Sequence, residues 1–315
     1  MNVSVILCTY NRAPLLRRVL DELAAQRTPP DLEWEVLVVD NNSNDGTAEL
    51  AQAFVQKHPG RFRYAHVARQ GKAWALNASL EMVDRDVLAF TDDDVAIDRD
   101  WLSELTRPFA DPACMGTGGR ILPVFNHGQP SWLQGPLLRE LRGPLVTFDM
   151  GEQPCMLSLA PYGANMAFRR EIFQRHPRFR TDLGPRGRNA IKGEDIEFAA
   201  RIIEAREPLA YVPSALVRHP VEPERLQRRY FWRWWFAHGI TTAKTEDLPP
   251  GAATFFGVPL YLVWGACRSL VRALLSRDQK QRLSHLFQVA AACGEVVASV
   301  GRDRQSRNRQ AAAAG

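Results

Sequence analysis

"VLAFTDDDVAID", residues 87–98, sets three consecutive carboxylates, Asp92, Asp93 and Asp94, directly behind an apolar run with the character of a buried strand. So much negative charge at one strand end requires an offsetting positive charge, and its nature decides the chemistry. Outward from this stretch the chain alternates. Apolar runs "VSVIL", "WEVLVVD", "FRYAHVA" and "VLAFTD" are separated by the helical patterns "APLLRRVLDELAAQ", "GTAELAQAFVQKH" and "GKAWALNASLEMV". In the first of these helices Leu15, Leu16, Val19, Leu20 and Leu23 share a face, as a helix laid on a sheet requires. Strand and helix repeated at this spacing predict an α/β fold with a mostly parallel, Rossmann-like sheet flanked by helices. Ligands of such sheets sit beyond the carboxyl ends of the strands. The polar residues there are "TYNR" (9–12), "DNNSNDG" (40–46) and "TDDD" (91–94), so three strand ends are expected to converge on one cleft.

The bulk properties limit what that cleft serves. With 315 residues, 45% of them hydrophobic, the chain can bury a full core. Five scattered cysteines without a CxxC pair argue against a disulfide framework and for a reducing compartment. The start "MNVSVILCTYNR" lacks a basic region and a long apolar stretch, so no secretory leader is expected. The net charge of +5 is uneven: residues 222–315 hold 14 Lys/Arg against 7 Asp/Glu, which leaves the first 221 residues at −2. In the basic third the charge accompanies tryptophans and an apolar segment, which suits an anionic membrane surface better than nucleic acid. A dinucleotide-binding domain is excluded, because the turn "CTYNRAP" has none of the glycines of GxGxxG. A nucleotide-sugar pyrophosphorylase fails for the same want of a glycine-rich loop.

In this order and spacing, "VILCTYNR", "VLVVDNNSNDGT", "RQGKAWALN", "FTDDDV" and "KGEDIEFAARI" resemble the motifs of the family 2 glycosyltransferases of the GT-A fold. The resemblance covers roughly residues 2–220. It implies a catalytic domain at 1–221, followed here by a helical, aromatic and basic extension at 222–300 and a disordered tail at 301–315. Asp92 and Asp94 match the ends of the family's DxD motif, so the offsetting charge would be a divalent cation, Mn²⁺ or Mg²⁺, shared with a nucleotide diphosphate. Asp94 and Asp92 are then metal ligands, with Asp92 also towards the ribose. Asp93 is placed with the nucleotide-sugar contacts or turned away from them. A solvated acidic turn capping "RDWLSEL" is the plainer alternative.

By the same resemblance Asp40 binds base or ribose, and Thr9, Tyr10 and Arg12 surround the base. Turn chemistry alone accounts for the asparagines of "NNSNDG". Lys72, behind Gly71 at a helix start, is placed to favour phosphate, and Asn77 is either a contact or a structural hydrogen-bonder. In the ED pair Asp195 matches the general base of an inverting displacement, with Glu194 beside it, and helix capping is the structural alternative for both. The apolar residues Ile196, Phe198, Ala199, Ile202 and Ile203 are expected to pack inward. Gly163, Ala164 and Asn165 resemble the loop that holds donor sugar or acceptor. His219 matches a further metal-ligand position, or is structural.

Irregular stretches at 125–160 and 175–192 have the length of binding loops, and the second carries Arg178, Arg180, Arg186, Arg188 and Lys192. "ERLQRRYFWRWWFAHG" reads as a helix with Arg225, Arg229 and Arg233 at fourfold spacing. It departs from the QxxRW motif of processive synthases, since Tyr230 stands where that arginine would be. Its arginines suit a phosphate of the donor or of a lipid-linked acceptor, and its aromatics suit packing. Behind this helix lies the segment 253–275, into which the uncharged run 248–267 continues. That run starts with Pro249, Pro250 and Gly251 and contains Pro259, which leaves about 14 strongly apolar residues where a span needs ~20. Arg268 and Arg272 lie one turn apart beside Leu270, Val271, Leu274 and Leu275, as in an interfacial helix. A helical subdomain or a homodimer contact is the alternative use. The expected protein transfers a sugar from a nucleoside-diphosphate donor to a glycan or lipid-linked acceptor in cell-surface polysaccharide or glycolipid synthesis. It would work in the cytoplasm, peripherally on the cytoplasmic face of the cell membrane. A metal-dependent nucleotidyl or phosphoryl transferase and a non-catalytic sugar-binding scaffold are the competing classes.

Overall fold

The structure, a computed structural model, describes residues 1–313 apart from 136–140, 142, 177, 186–191, 247 and 256, and describes the backbone alone from 301 onward. The chain forms two compact units. The first comprises Met1–Val124, Val146–Asn189 and Gly193–Pro220; the second comprises Phe125–Leu145, Ala190–Lys192 and Val221–Gly315.

The first unit is built on the strands that the sequence pattern predicts. β1 (Asn2–Thr9), β2 (Glu33–Asp40), β3 (Phe62–His66) and β4 (Val87–Asp92) are parallel, in the order β3-β2-β1-β4. Parallel neighbours need crossovers. These are α1 (Ala13–Ala24), α2 (Thr47–Lys57) and α3 (Lys72–Met82). Leu16, Val19, Leu20 and Leu23 of α1 are buried, each worth roughly 1.5–3 kcal/mol relative to exposure. Past β4 the sheet turns mixed. β8 (Asn165–Arg169) runs antiparallel to β4 and to β6 (Gly116–Val124). β6 pairs in parallel with β9 (Leu209–Pro220), which also carries β5 (Ala96–Ile97) and β7 (Cys155–Met156). Helices α4 (Trp101–Thr106), α5 (Ile172–Arg175) and α6 (Glu194–Glu204) complete this unit.

The β6/β9 pairing shifts register between Gly119 and Arg120. Asn165 repairs the gap. Its Nδ2 donates to the carbonyls of Arg120 (3.0 Å) and Ala215 (2.8 Å), and its Oδ1 accepts from the Trp101 indole at 2.8 Å. A Cβ on Gly119 would lie 2.3 Å from that amide, so the missing side chain makes the room.

The second unit has its own core of Leu133, Leu141, Leu145, Val221, Phe231, Leu283 and Phe287. Phe125–Leu145 thus joins this unit, out of the stretch that the sequence assigns to the first domain, because Leu133, Leu141 and Leu145 are buried here. Three helices frame it: α7 (Arg228–Thr245), α8 (Leu260–Leu275) and α9 (Gln279–Ala313), whose backbone continues past residue 300. A short hairpin, β10 (Thr254–Phe255) with β11 (Val258–Pro259), precedes α8. The aromatics of α7 pack within this unit: Phe231 meets Trp132 edge-on with ring centroids 5.0 Å apart. By length and composition Gln279–Val300 is the one helix, among the described residues, that could cross a membrane. Leu283 and Phe287 of this segment belong to the unit's core. All five cysteines are free.

α7 and α9 touch backbone to backbone at two glycines. A Cβ on Gly239 would lie 1.9 Å from the Ala291 carbonyl oxygen, and one on Gly294 would lie 2.0 Å from that of Phe236. Alanine is worth about 1 kcal/mol over glycine inside a helix, but overpacking against backbone costs roughly 1–3 kcal/mol or more. Gly294→Ala should therefore destabilise the protein by about 2 kcal/mol. Gly265→Ala in α8, with nothing within 4 Å of its Cβ, should stabilise it by about 0.5–1 kcal/mol. Urea melts of the pair check this: the two midpoints must move in opposite directions.

Candidate active site

Register brings the acidic strand end together with its neighbours. Thr9 pairs with Asp40 across β1 and β2, and Cys8 pairs with Asp92 across β1 and β4. The carboxylates are met by the chain's own cations. Arg12 Nη1 donates to Asp93 Oδ1 at 3.0 Å and to Asp94 Oδ2 at 2.9 Å, and Lys72 Nζ donates to Asp92 Oδ1 at 2.5 Å. Asp93 faces inward, 5% exposed, and takes the Thr9 hydroxyl at 2.7 Å. Burial pushes Asp93 up to about 6 and the Asp94 carboxylate adds to this, while Arg12 and Thr9 pull it down. Thr9 and Asp93 were expected to touch the nucleotide. In the structure the two are bonded to each other beneath the surface, and Asp93 is bonded to Arg12 as well. Arg12 is half-exposed and Tyr10 exposed, so both stay available to a ligand. Cys8 lies in the same cluster, its thiol pushed up to about 12 by burial and therefore inert.

The second acidic motif opens α6, behind Gly193 at φ 100. Asp195 is half-buried, and its Oδ2 accepts the Gly163 N–H at 2.6 Å. A Cβ on Gly163 would come within 2.9 Å of that oxygen, so a glycine is what lets the backbone reach the carboxylate. Glu194 is buried, with Oε2 lacking a hydrogen-bond partner. Burial, then the Asp195 carboxylate, push it up to about 7 against the pull of Lys72. Burial opposes the Lys72 charge, but Asp92, Glu194 and Asp195 outweigh it and hold its pKa well above that of an ordinary lysine. One half-buried ammonium is thus bonded to the DDD motif and lies within the field of the ED motif, a link invisible in sequence because the three segments lie far apart in the chain. Phe198, Ala199 and Ile202 face inward as expected. Ile196 does not: it lies two residues from Phe198, about 200° round the helix, and is exposed.

Asp40 accepts the Ser43 N–H (2.9 Å) and the Tyr64 hydroxyl (3.0 Å) and is 1% exposed. Its own partial burial, then the bond to Asp40, raise Tyr64 to about 12. At the strand end where base or ribose is expected, the Asp40 carboxylate is thus engaged within its own loop and by Tyr64. Asn41, read from sequence as a turn former, clamps the next loop: Oδ1 takes the Gly71 N–H at 2.7 Å, and Nδ2 donates to Val67 and Arg69. This fixes Lys72 at the start of α3. Asn77 is structural, exchanging two 2.8 Å bonds with the Phe179 backbone. Asn165, expected in the loop that holds donor sugar or acceptor, is the bulge-filling residue described above, fully buried with both amide hydrogens spent inside. In the basic loop Arg178 pairs with Glu81 and Arg180 with Asp182, while Arg186 and Arg188 lie outside the described residues.

Among the described residues no three His, Cys, Asp or Glu side chains converge on one point. At the acidic strand end His219 Nε2, buried, lies 3.7 Å from Asp94 Oδ1. Mg²⁺ characteristically takes one or two carboxylates and completes its shell with substrate phosphates and water. The donor set therefore fits a cation shared with a diphosphate, and does not fit one held by protein alone.

Residues 4–176 match the family description "Glycosyl transferase family 2". The succinoglycan biosynthesis protein ExoM of Rhizobium meliloti is 26% identical over 76% of this chain and 74% of its own length. The glucosyl-dolichyl phosphate glucuronosyltransferase of Haloferax volcanii is 26% identical over 93% and 94%. In fold the chain resembles the mannosyltransferase PcManGT from Pyrobaculum calidifontis, solved in complex with GDP-Man and Mn²⁺. The TM-score is 0.61 at 21% identity over 93% of this chain and 86% of that one. With more than half of its length matched to the family, on a mostly parallel GT-A-like sheet, the chain belongs to the family 2 glycosyltransferases.

Proposed function

We propose that this glycosyltransferase inverts the anomeric centre, moving a sugar from a nucleoside diphosphate to the hydroxyl of a glycan or lipid-linked acceptor. The observation that carries the proposal is the pairing of Lys72 with Asp92 in one acidic motif and the half-exposed Asp195 held by the Gly163 N–H in the other, the first fit for a diphosphate and the second for a proton. Asp195 is the base. Half-exposed and held by the Gly163 N–H, it takes the proton of the acceptor hydroxyl as that oxygen attacks the anomeric carbon. A single attack opposite the departing diphosphate inverts the configuration. Asp94, with Asp92 and His219, would hold Mn²⁺ or Mg²⁺, which when bound neutralises charge on the diphosphate. Arg12, Tyr10 and Lys72 line the donor side. Glu194, buried beside Asp195, adds negative charge that favours the Lys72 ammonium.

The relatives named above give the acceptor class its support, one acting on a dolichyl phosphate sugar and one in a polysaccharide pathway. Such acceptors call for peripheral attachment at the cytoplasmic face of the membrane. The test is a panel of UDP-, GDP- and dTDP-sugars titrated calorimetrically with and without Mn²⁺, followed by NMR of the product anomer. The expected result is one nucleotide class bound in a metal-dependent way and an inverted product. A retained anomer, or cleavage within the diphosphate, would overturn it.

A further inference from the structure

α8 is built the wrong way out for a helix in water. Its buried residues Leu262, Ser269 and Ala273 form one stripe. At 100° per residue, Leu260, Trp264, Val271, Leu274 and Leu275 fall within an arc of about 100° on the opposite side. Trp264, Leu274 and Leu275 are 75%, 74% and 76% exposed. Large apolar side chains massed on the solvent face signal an interaction surface. What covers it is indicated by the charges. Arg268 and Arg272, both exposed, flank the stripe, and residues 248–277 contain no Asp or Glu. A second copy laid on this face would bring arginines against arginines with no acid to meet them. An anionic lipid surface meets both features, taking the apolar stripe into the acyl boundary and the guanidinium groups at the phosphates.

We propose that the outward stripe of α8, with Arg268 and Arg272 beside it, is a docking face for anionic lipid bilayers. It supplies a residue-level basis for the peripheral attachment proposed above and is independent of the transfer chemistry. The apolar side chains set the depth of insertion and the arginines set the preference for negative headgroups.

The experiment is flotation of the full chain with phosphatidylcholine vesicles, with or without one part in three phosphatidylglycerol, at low and high salt. Wild-type protein should float with the anionic vesicles and be released by salt. Arg268→Gln with Arg272→Gln should lower binding by about 10- to 30-fold, since two charges at the surface are removed. Trp264→Gln with Leu274→Gln and Leu275→Gln should abolish it. These side chains touch solvent, so circular dichroism should match wild type, and donor hydrolysis in solution should be unchanged in both variants. Failure of that hydrolysis in wild type would sink the transfer reading alone. The docking face is overturned if folded wild-type protein does not float at low salt or if the apolar variant still floats. It is also overturned if sedimentation without lipid shows a dimer that the apolar variant dissociates.

Discussion

Asp195→Asn should abolish most transfer while leaving donor binding intact. The substitution keeps the geometry: an amide oxygen can still accept the Gly163 N–H that now sits 2.6 Å from Asp195 Oδ2. What it removes is the proton acceptor. General bases contribute typically 10²–10⁴-fold, so kcat should fall by about that factor with the calorimetric Kd for the nucleoside diphosphate unmoved. A variant that turns over near the wild-type rate would assign the proton elsewhere. Glu194 serves as the contrast, because the helix sets it inward. Its carboxyl is raised from 4.5 to about 7, so the native state holds more protons than the unfolded chain across that window, and stability falls as pH rises through it. Glu194→Gln should remove that fall in pH-dependent urea melts, whereas Asp195→Asn should only reduce it, since it takes away the second cause of the shift and leaves burial in place.

The elements of the first unit were legible because period and burial coincide. "VLAFTD" is buried on both faces and reads as a strand, and α1 reads as a helix because Leu16, Val19, Leu20 and Leu23 must reach one sheet. The site was legible as a set of residues and illegible as a set of partners. Nothing local in "TDDD" says that Asp93 turns inward to Thr9, or that Arg12 spans Asp93 and Asp94. Those contacts depend on β1 and β4 lying side by side, a fact of topology. Asn165 misled for a related reason. In a loop of small residues an asparagine looks free for a ligand, and only the register shift at Gly119 creates the two carbonyls it must satisfy. Gly163 carried a usable signal, a glycine ahead of a buried strand, but its partner Asp195 is remote in sequence. In the second unit the pattern found the helix at Leu260–Leu275 and the apolar residues that lie exposed on it. It gave no hint that Gly239 and Gly294 bring two helices to backbone contact, since each glycine alone only weakens its own helix.

Asp94→Ala should remove the metal dependence of nucleoside diphosphate binding. Asp94 faces two groups at once, Arg12 at 2.9 Å on Oδ2 and His219 at 3.7 Å on Oδ1, and it is the carboxylate from which a cation could bridge to phosphate. Losing an outer-shell partner of a metal ligand costs 10–100-fold in affinity, so losing the ligand itself should cost more than about 100-fold in the Mn²⁺-dependent component. Binding without metal should persist or improve slightly, because one negative charge is gone and Arg12 stays on Asp93, its 3.0 Å partner. The sign of that second effect makes the experiment sharp. A site that merely collapsed would lose binding in both titrations, whereas loss of the cation's holder separates the two curves and leaves the metal-free one in place. Calorimetry with and without Mn²⁺ reads both. If the variant still gains affinity on adding Mn²⁺ as the wild type does, the cation is held elsewhere, and the triplet at 92–94 serves only to anchor Arg12 and Lys72.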